Sequence, residues 1–301
     1  AALGRGALHV GTDGGGSIRI PAGLSGSVGL KPTVGRVAAW PASPFGTVAH
    51  LGPMTRTVAD AALMLTAMSG PDSRDWLALP DSGTDLRTGL AGGVAGLRIA
   101  FSPDLGYAQV DPEVEAAVAR AADLLAELGA VVERRNPDFE SPWRIFERLW
   151  FPGAALVADS IPADRRDLLD PGLRRVAEVG SRMSVLEVQR AAYDRADLAI
   201  RMQRFFDEVD LLVPPTLPIT AFPVGREHPF MAGEWVEWTP FSYPFNLTQQ
   251  PASTVPCGLS AAGLPIGGQI VGAKYADALV LRAARAVESA MPFAMPAAEA
   301  R

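Results

Sequence analysis

Cysteine is almost missing from this chain. Cys257 is the one thiol among 301 residues, so no disulfide can form within it, and the fold must hold by packing and hydrogen bonding. A single thiol fits a reducing compartment, and a cytoplasmic location is the expectation. Histidine is scarce too: His9, His50 and His228 are the only three, and no Cys/His cluster has the spacing of a metal site. Lysine occurs twice, at Lys31 and Lys274. No apolar run reaches the ~18–20 residues of a membrane-crossing helix. The net charge of −6 argues against the basic face that nucleic-acid binders carry. These absences set aside nucleic acid, membrane and metal as partners.

What remains is an ordinary globular composition, 48% apolar and 20% charged, able to bury a sizeable core. No internal repeat and no linker divides the chain, so residues 1–301 are expected to form a single domain. There is no initiator Met. Ala1–Leu8 reads as the tail of an Ala-rich helix, and no signal peptide can be read there.

Several elements announce their ends. Thr57-Val-Ala-Asp60 opens a helix that Gly70 closes. Leu97–Phe101 is a short apolar strand. Asp111-Pro112-Glu113 combines an N-cap, an N1 proline and an acidic first turn. Val114, Val118, Ala121, Leu125 and Leu128 then recur at helical spacing up to Gly129. With Val131-Val132 beginning the next strand, this stretch is a βαβ unit with a parallel pair. Ser184-Val-Leu-Glu187 is a capping box opening a long helix to about Glu208. Strands are expected at Val209–Val213, Ser253–Val255 and Gly268–Val271, and a closing helix at Asp277–Ala290. The fold class is therefore α/β.

The first fifty residues are dense in glycine. Glycine costs backbone entropy, so such density calls for positive φ or a close backbone approach. Gly14-Gly15-Gly16 directly precedes Ser17. Side-chain-free residues let N–H groups approach a carbonyl oxygen, and Ser17 sets a hydroxyl near its carbon. Asp13 is placed to accept backbone N–H bonds, and Arg19 to pair with a carboxylate. Two readings stay open on these residues alone: a nucleophile loop, or a plain glycine-rich turn or anion-binding nest. A phosphate loop fits less well, because no Lys precedes Ser17, and no Gly-x-Ser-x-Gly elbow surrounds it.

The motif Gly11-Thr-Asp-Gly-Gly-Gly-Ser-Ile-Arg-Ile-Pro-Ala22, followed by Gly29-Leu-Lys-Pro-Thr33 and Gly35-Arg-Val37, closely resembles the amidase signature family. Gly52-Pro-Met-Thr-Arg-Thr-Val-Ala-Asp60, Val209-Asp-Leu-Leu-Val-Pro-Pro-Thr216, Asn246 through Pro256-Cys-Gly258, Gly263–Gly267 and Gln269–Gly272 agree with it. The resemblance implies an amidase-signature fold, a mixed, mostly parallel central β-sheet flanked by helices. It implies a Ser–cis-Ser–Lys mechanism that cleaves a carboxamide C–N bond through an acyl-enzyme, with Ser17 as nucleophile. The backbone of Gly14, Gly15, Gly16 and Ser17 would form the oxyanion hole, with Asp13 and Arg19 supporting the site. No metal or organic cofactor is expected. The partner is a small amide substrate, and a homodimer is compatible with the family.

The chain departs from the family in one respect. The cis-serine motif, Gly-Ser-Ser-Gly-Gly, and the lysine would both precede Ala1, so the chain resembles the C-terminal two-thirds of such a domain. Lys31 is read as structural, bonding backbone carbonyls. Lys274 is read as a solvated charge. His9, His50 and His228 are not expected to form a Ser–His–Asp site, and Cys257 is read as a buried inert thiol. The aromatic stretch around Phe230, Trp235, Trp238 and Phe241 either lines a substrate pocket or fills the edge of the core. Two other functions compete: the glutaminase component of a tRNA-dependent amidotransferase, and an inactive fragment of the scaffold.

Overall fold

A computed structural model describes residues 1–226, 228–229 and 238–294. The glycine-rich beginning supplies three strands: β1 (Leu8–Asp13), β2 (Val28–Lys31) and β3 (His50–Thr55), with a short helix α1 (Arg19–Ser25) between the first two. Ala1–Ala7 is not the end of a helix. It runs through turns into β1, the first of them closed by the Gly4 N–H on the Ala1 carbonyl at 2.9 Å.

Helix α2 (Val58–Met68) starts at Thr57, whose hydroxyl accepts the Asp60 N–H, and ends at Ser69, one residue before Gly70. The βαβ unit follows as expected: β4 (Arg98–Phe101), α3 (Pro112–Glu127) and β5 (Val131–Arg134), with β4 and β5 parallel. Three helices come next: α4 (Trp143–Asp159), α5 (Pro171–Ser181) and α6 (Val185–Glu208). Helix α6 carries the Ser184/Glu187 capping box. Strand β6 (Leu211–Val213), helix α7 (Tyr243–Leu247), strands β7 (Ala252–Leu259) and β8 (Pro265–Gly272), and helix α8 (Asp277–Ala290) complete the described elements.

Among the described residues, eight strands form one sheet in the order β1-β3-β2-β7-β8-β6-β4-β5. It is mixed and flanked by helices, as expected, but not mostly parallel. Five of its seven neighbouring pairs are antiparallel, and only β6–β4 and β4–β5 are parallel. Parallel neighbours need a long crossover, usually a helix. Helix α3 supplies one between β4 and β5, whereas a tight turn joins β7 directly to β8, closed by the Ser260 N–H on the Leu264 carbonyl.

Alternation along the strands builds two apolar layers. Ile99, Phe101, Leu211, Val213 and Ile270 face α2, α3 and α8. Ala100, Leu212 and Val271 face α6 and Phe241 on the other side. Each fully buried Leu or Ile in these layers contributes about 1.5–3 kcal/mol by leaving water. Helix α1 lies against β7 and β8, and glycine permits its closeness. A Cβ on Gly267 would sit 2.9 Å from the Cα of Gly23. This seating fixes where the preceding turn, Gly14–Ile18, emerges. No helix among the described residues is long and apolar enough to cross a membrane.

Candidate active site

Strand β1 delivers Asp13 into the interior at its last residue, where it is fully buried. The carboxylate accepts the Gly16 N–H at 2.7 Å and the Ile18 N–H at 3.3 Å. Arg19, fully buried at the start of α1, grips the same carboxylate through Nε and Nη2, each at 3.0 Å. Its Nη1 donates to the Ser242 carbonyl at 2.9 Å and to Gln269 Oε1 at 2.8 Å. Its Nη2 also reaches Asn246 Oδ1 at 2.5 Å. Every N–H of the guanidinium thus has an acceptor, the condition under which a buried charge is tolerated.

Asn246 closes the network. Its Nδ2 donates to Asp13 Oδ1 at 2.8 Å, to the Asp13 carbonyl at 2.9 Å and to the Val48 carbonyl at 3.0 Å. Gln269 is held in turn by the Phe241 carbonyl at 2.7 Å. Burial pushes the Asp13 carboxyl up, but the charge and hydrogen bonds of Arg19, then Asn246 and the Lys31 charge, overcome it and hold the group well below the usual carboxylate range. Asp13 is therefore an anchor for the turn and stays ionised.

The turn itself is shaped by what crowds it. The Gly15 carbonyl accepts the Ser242 hydroxyl at 2.6 Å. Gly16 has φ +134°, and a Cβ there would lie 2.5 Å from Ser242 Oγ. A Cβ on Gly15 would meet Phe146 at 2.7 Å. Aromatic rings pack behind: Phe146 stacks on Tyr243 at 5.0 Å, and Trp150 stacks on Phe45 at 4.5 Å. Helix α4 supplies Phe146 and Trp150, so an element unseen in the sequence forms the wall behind the glycines.

Ser17 stands exposed beyond this wall, and its hydroxyl makes no hydrogen bond among the described residues. The same holds for the N–H groups of Gly14, Gly15 and Ser17, whereas the Gly16 N–H is committed to Asp13. Of the four backbone donors expected from the sequence, three are unengaged among the described residues.

No base touches Ser17 among the described residues. Lys31 is fully buried. Its ammonium donates to the carbonyls of Gln250 and Pro32, the structural role expected of it. Burial, and then the Arg19 charge, lower its pKa well below the ordinary lysine value. His50 is buried with Nδ1 on the Val48 carbonyl at 2.9 Å. Burial, then the Lys31 charge, lower its pKa well below the ordinary histidine value. Burial pushes the Cys257 thiol up to about 12, which keeps it protonated and inert. Lys274 bonds Gln249 Oε1 at 3.1 Å.

The aromatic candidates separate. Phe230 and Trp235 lie outside the described residues. Trp238 packs edge-on against Phe222 at 5.1 Å and, with Tyr107 and Tyr243, lines a cavity of about 330 Å³. Phe241 is fully buried among the α6 side chains and serves as core. A second cavity, of about 230 Å³, runs past Thr12, Trp40 and His50. Ser17 lines neither of these two cavities.

Ser242, Asn246 and Gln269 were not among the expected site residues. Asn246 and Gln269 did carry a signal: each is an uncharged amide inside an apolar stretch, Phe245-Asn-Leu247 and Gly268-Gln-Ile-Val271. A buried polar side chain there must have partners.

A family model described as Amidase matches residues 1–281. An acylamidase of Rhodococcus erythropolis is 39% identical over 302 residues, covering 97% of this chain and 63% of that protein. A glutamyl-tRNA(Gln) amidotransferase component of Myxococcus xanthus is 34% identical, covering 93% of this chain and 63% of its own length. Among solved structures, a bacterial aryl acylamidase of the amidase signature enzymes superposes with a TM-score of 0.86 at 31% identity, over 97% of this chain and 64% of its own. The chain thus spans a little under two thirds of each of these relatives.

Proposed function

The chain belongs to the Amidase family of amidase signature enzymes, and on that footing we propose that the protein hydrolyses the C–N bond of a small carboxamide with Ser17 as nucleophile. One observation carries this reading. Among the described residues, the exposed Ser17 hydroxyl has no hydrogen-bond partner and sits beside unengaged N–H groups on a turn anchored by the buried Asp13–Arg19–Asn246 network. Ser17 Oγ attacks the amide carbonyl, and the oxygen that becomes anionic is received by the N–H groups of Gly14, Gly15 and Ser17. Gly16 contributes its lack of a side chain and not its N–H. Collapse of the tetrahedral species breaks the C–N bond, the amine leaves with a proton, and water then releases the acid from the acyl-serine.

The proton of Ser17 needs an acceptor. In the family resemblance, that acceptor is a lysine acting through a cis serine. Lys31 is unsuited to the role, being tied to two carbonyls in the core.

Two measurements on the full-length protein test the reading. A serine-directed fluorophosphonate should label Ser17, located by peptide mass spectrometry. Ser17→Ala should lower turnover of an acetanilide by on the order of 10⁶-fold without changing the fold. Label found on another residue, or turnover surviving in Ser17→Ala, refutes the assignment. Release of ammonia from glutamine in preference to aryl and aliphatic amides would instead indicate the glutaminase role.

A further inference from the structure

The Gly15–Gly16 peptide is pinned at both ends. In a trans peptide the C=O and N–H point in opposite directions. Here the Gly15 carbonyl is held by the Ser242 hydroxyl at 2.6 Å, and the Gly16 N–H is held by Asp13 at 2.7 Å. Ser242 Oγ also lies 3.2 Å from the Thr239 carbonyl, but a hydroxyl has one proton, and the shorter contact is to Gly15. The two peptides flanking this one carry the free N–H groups of Gly15 and Ser17.

A Gly-Gly peptide is the kind that flips most easily, because neither residue has a side chain to oppose the opposite rotations of ψ and φ. Flipping this one would turn the Gly15 carbonyl oxygen towards the Asp13 carboxylate and take the Gly16 N–H off it, and the rotations it requires would disturb the setting of the Gly15 and Ser17 N–H groups on either side. Donors stabilise a developing charge when they are held in place before it forms.

We propose that Ser242 is a positioning residue for catalysis: its hydroxyl locks the Gly15–Gly16 peptide in the orientation that keeps the Gly16 N–H on Asp13, and with it the flanking Gly15 and Ser17 N–H groups in place for the oxyanion. Its own seating supports this task. Ser242 is fully buried, its carbonyl accepts Arg19 Nη1, and it immediately precedes α7, which carries Asn246. One residue thus joins the C-terminal part of the chain to both the turn and the ion pair behind it.

The inference rests on the Ser17 reading for its catalytic consequence, and on geometry alone for the peptide lock. The test therefore has two arms. In full-length Ser242→Ala, fluorophosphonate labelling of Ser17 and kcat for an amide should each fall by roughly tenfold to a hundredfold, with KM little changed. Ser242→Thr, which keeps a hydroxyl, should restore most of the rate. In protein labelled with ¹⁵N-glycine, the Gly16 amide should be a single resonance protected from solvent exchange. In Ser242→Ala it should shift or broaden as the peptide samples both orientations. Ser242→Cys, a weaker donor, takes the place of Ser242→Ala if the alanine variant does not fold. A wild-type labelling rate or an unaltered Gly16 resonance in the substituted protein overturns the proposal. Absence of any label on Ser17 in the unsubstituted protein defeats the Ser17 reading by itself, and the Gly16 resonance then decides the role of Ser242.

Discussion

Asp13 is held from every side, and the cost of disturbing it follows from Arg19. A guanidinium cannot give up its proton inside a protein, and this one is fully buried against the carboxylate. Asp13→Asn preserves shape but removes the negative charge, leaving Arg19 buried with only neutral partners. Breaking one side of a buried pair typically costs about 3–5 kcal/mol. We expect Asp13→Asn to lower stability by that amount at neutral pH, read from the urea midpoint at constant m. A loss below about 1 kcal/mol would mean that Asn246, Gln269 and the Ser242 carbonyl suffice for the guanidinium. At this scale the local half of the site was legible. Asp13, Gly14–Gly16, Ser17 and Arg19 lie within seven residues, where residue type and spacing pointed to a turn anchored by a carboxylate, and the family resemblance supplied the catalytic roles. Ser242, Asn246 and Gln269 reach the same point from more than 220 residues away. No local pattern announces a contact made by tertiary packing.

At the scale of elements, starts with side-chain caps were readable and packed elements without them were not. Thr57, Asp111 and Ser184 each accept a backbone N–H in the first turn of their helices. Helix α4 follows Pro142 with no side-chain cap, and it holds Pro152 in its interior. Its Trp and Phe residues are weak helix formers, so packing against the turn and α5 sustains it. Helix α5 does show an Asp-Pro start, Asp170-Pro171, a signal present in the sequence and absent from the expectations. The mostly parallel sheet implied by the resemblance is not found, because β1, β2, β3, β7 and β8 pair antiparallel and only the βαβ unit and its neighbour β6 are parallel. The crossing of α1 over β8 offers a direct test of how far an element controls the site. Gly267→Ala places a Cβ 2.9 Å from the Gly23 backbone, which has no flexible end to yield. Overpacking of this kind costs about 1–3 kcal/mol. Because α1 begins two residues after Ser17, its displacement should also slow fluorophosphonate labelling. Unchanged stability in a thermal melt would mean that α1 shifts freely, against the seating described above.

For the whole molecule, the site face is an interior of charges: Asp13, Arg19 and Lys31 are all fully buried, with His50 close to them. His50 contributes to this centre as a neutral ring, since its burial and the nearby Lys31 charge lower its pKa well below the ordinary value. The consequence for stability has a definite sign. In the unfolded chain a histidine takes up a proton below a pKa of about 6.5, whereas in the folded protein His50 remains neutral at that pH. Over this range the unfolded state binds the extra proton, so stability rises with pH. The contribution of His50 is fully present above about pH 6.5 and is withdrawn as the pH falls below it. We therefore expect the urea midpoint to decline between about pH 6.5 and 5, before most carboxylates begin to titrate. His50→Gln replaces the ring with an uncharged amide that cannot be protonated. It should remove most of that decline while leaving the fall below about pH 4 in place. A midpoint that stays level from pH 8 to 5 in the unsubstituted protein, or a decline of equal size in His50→Gln, would show that the ring is not the group being titrated.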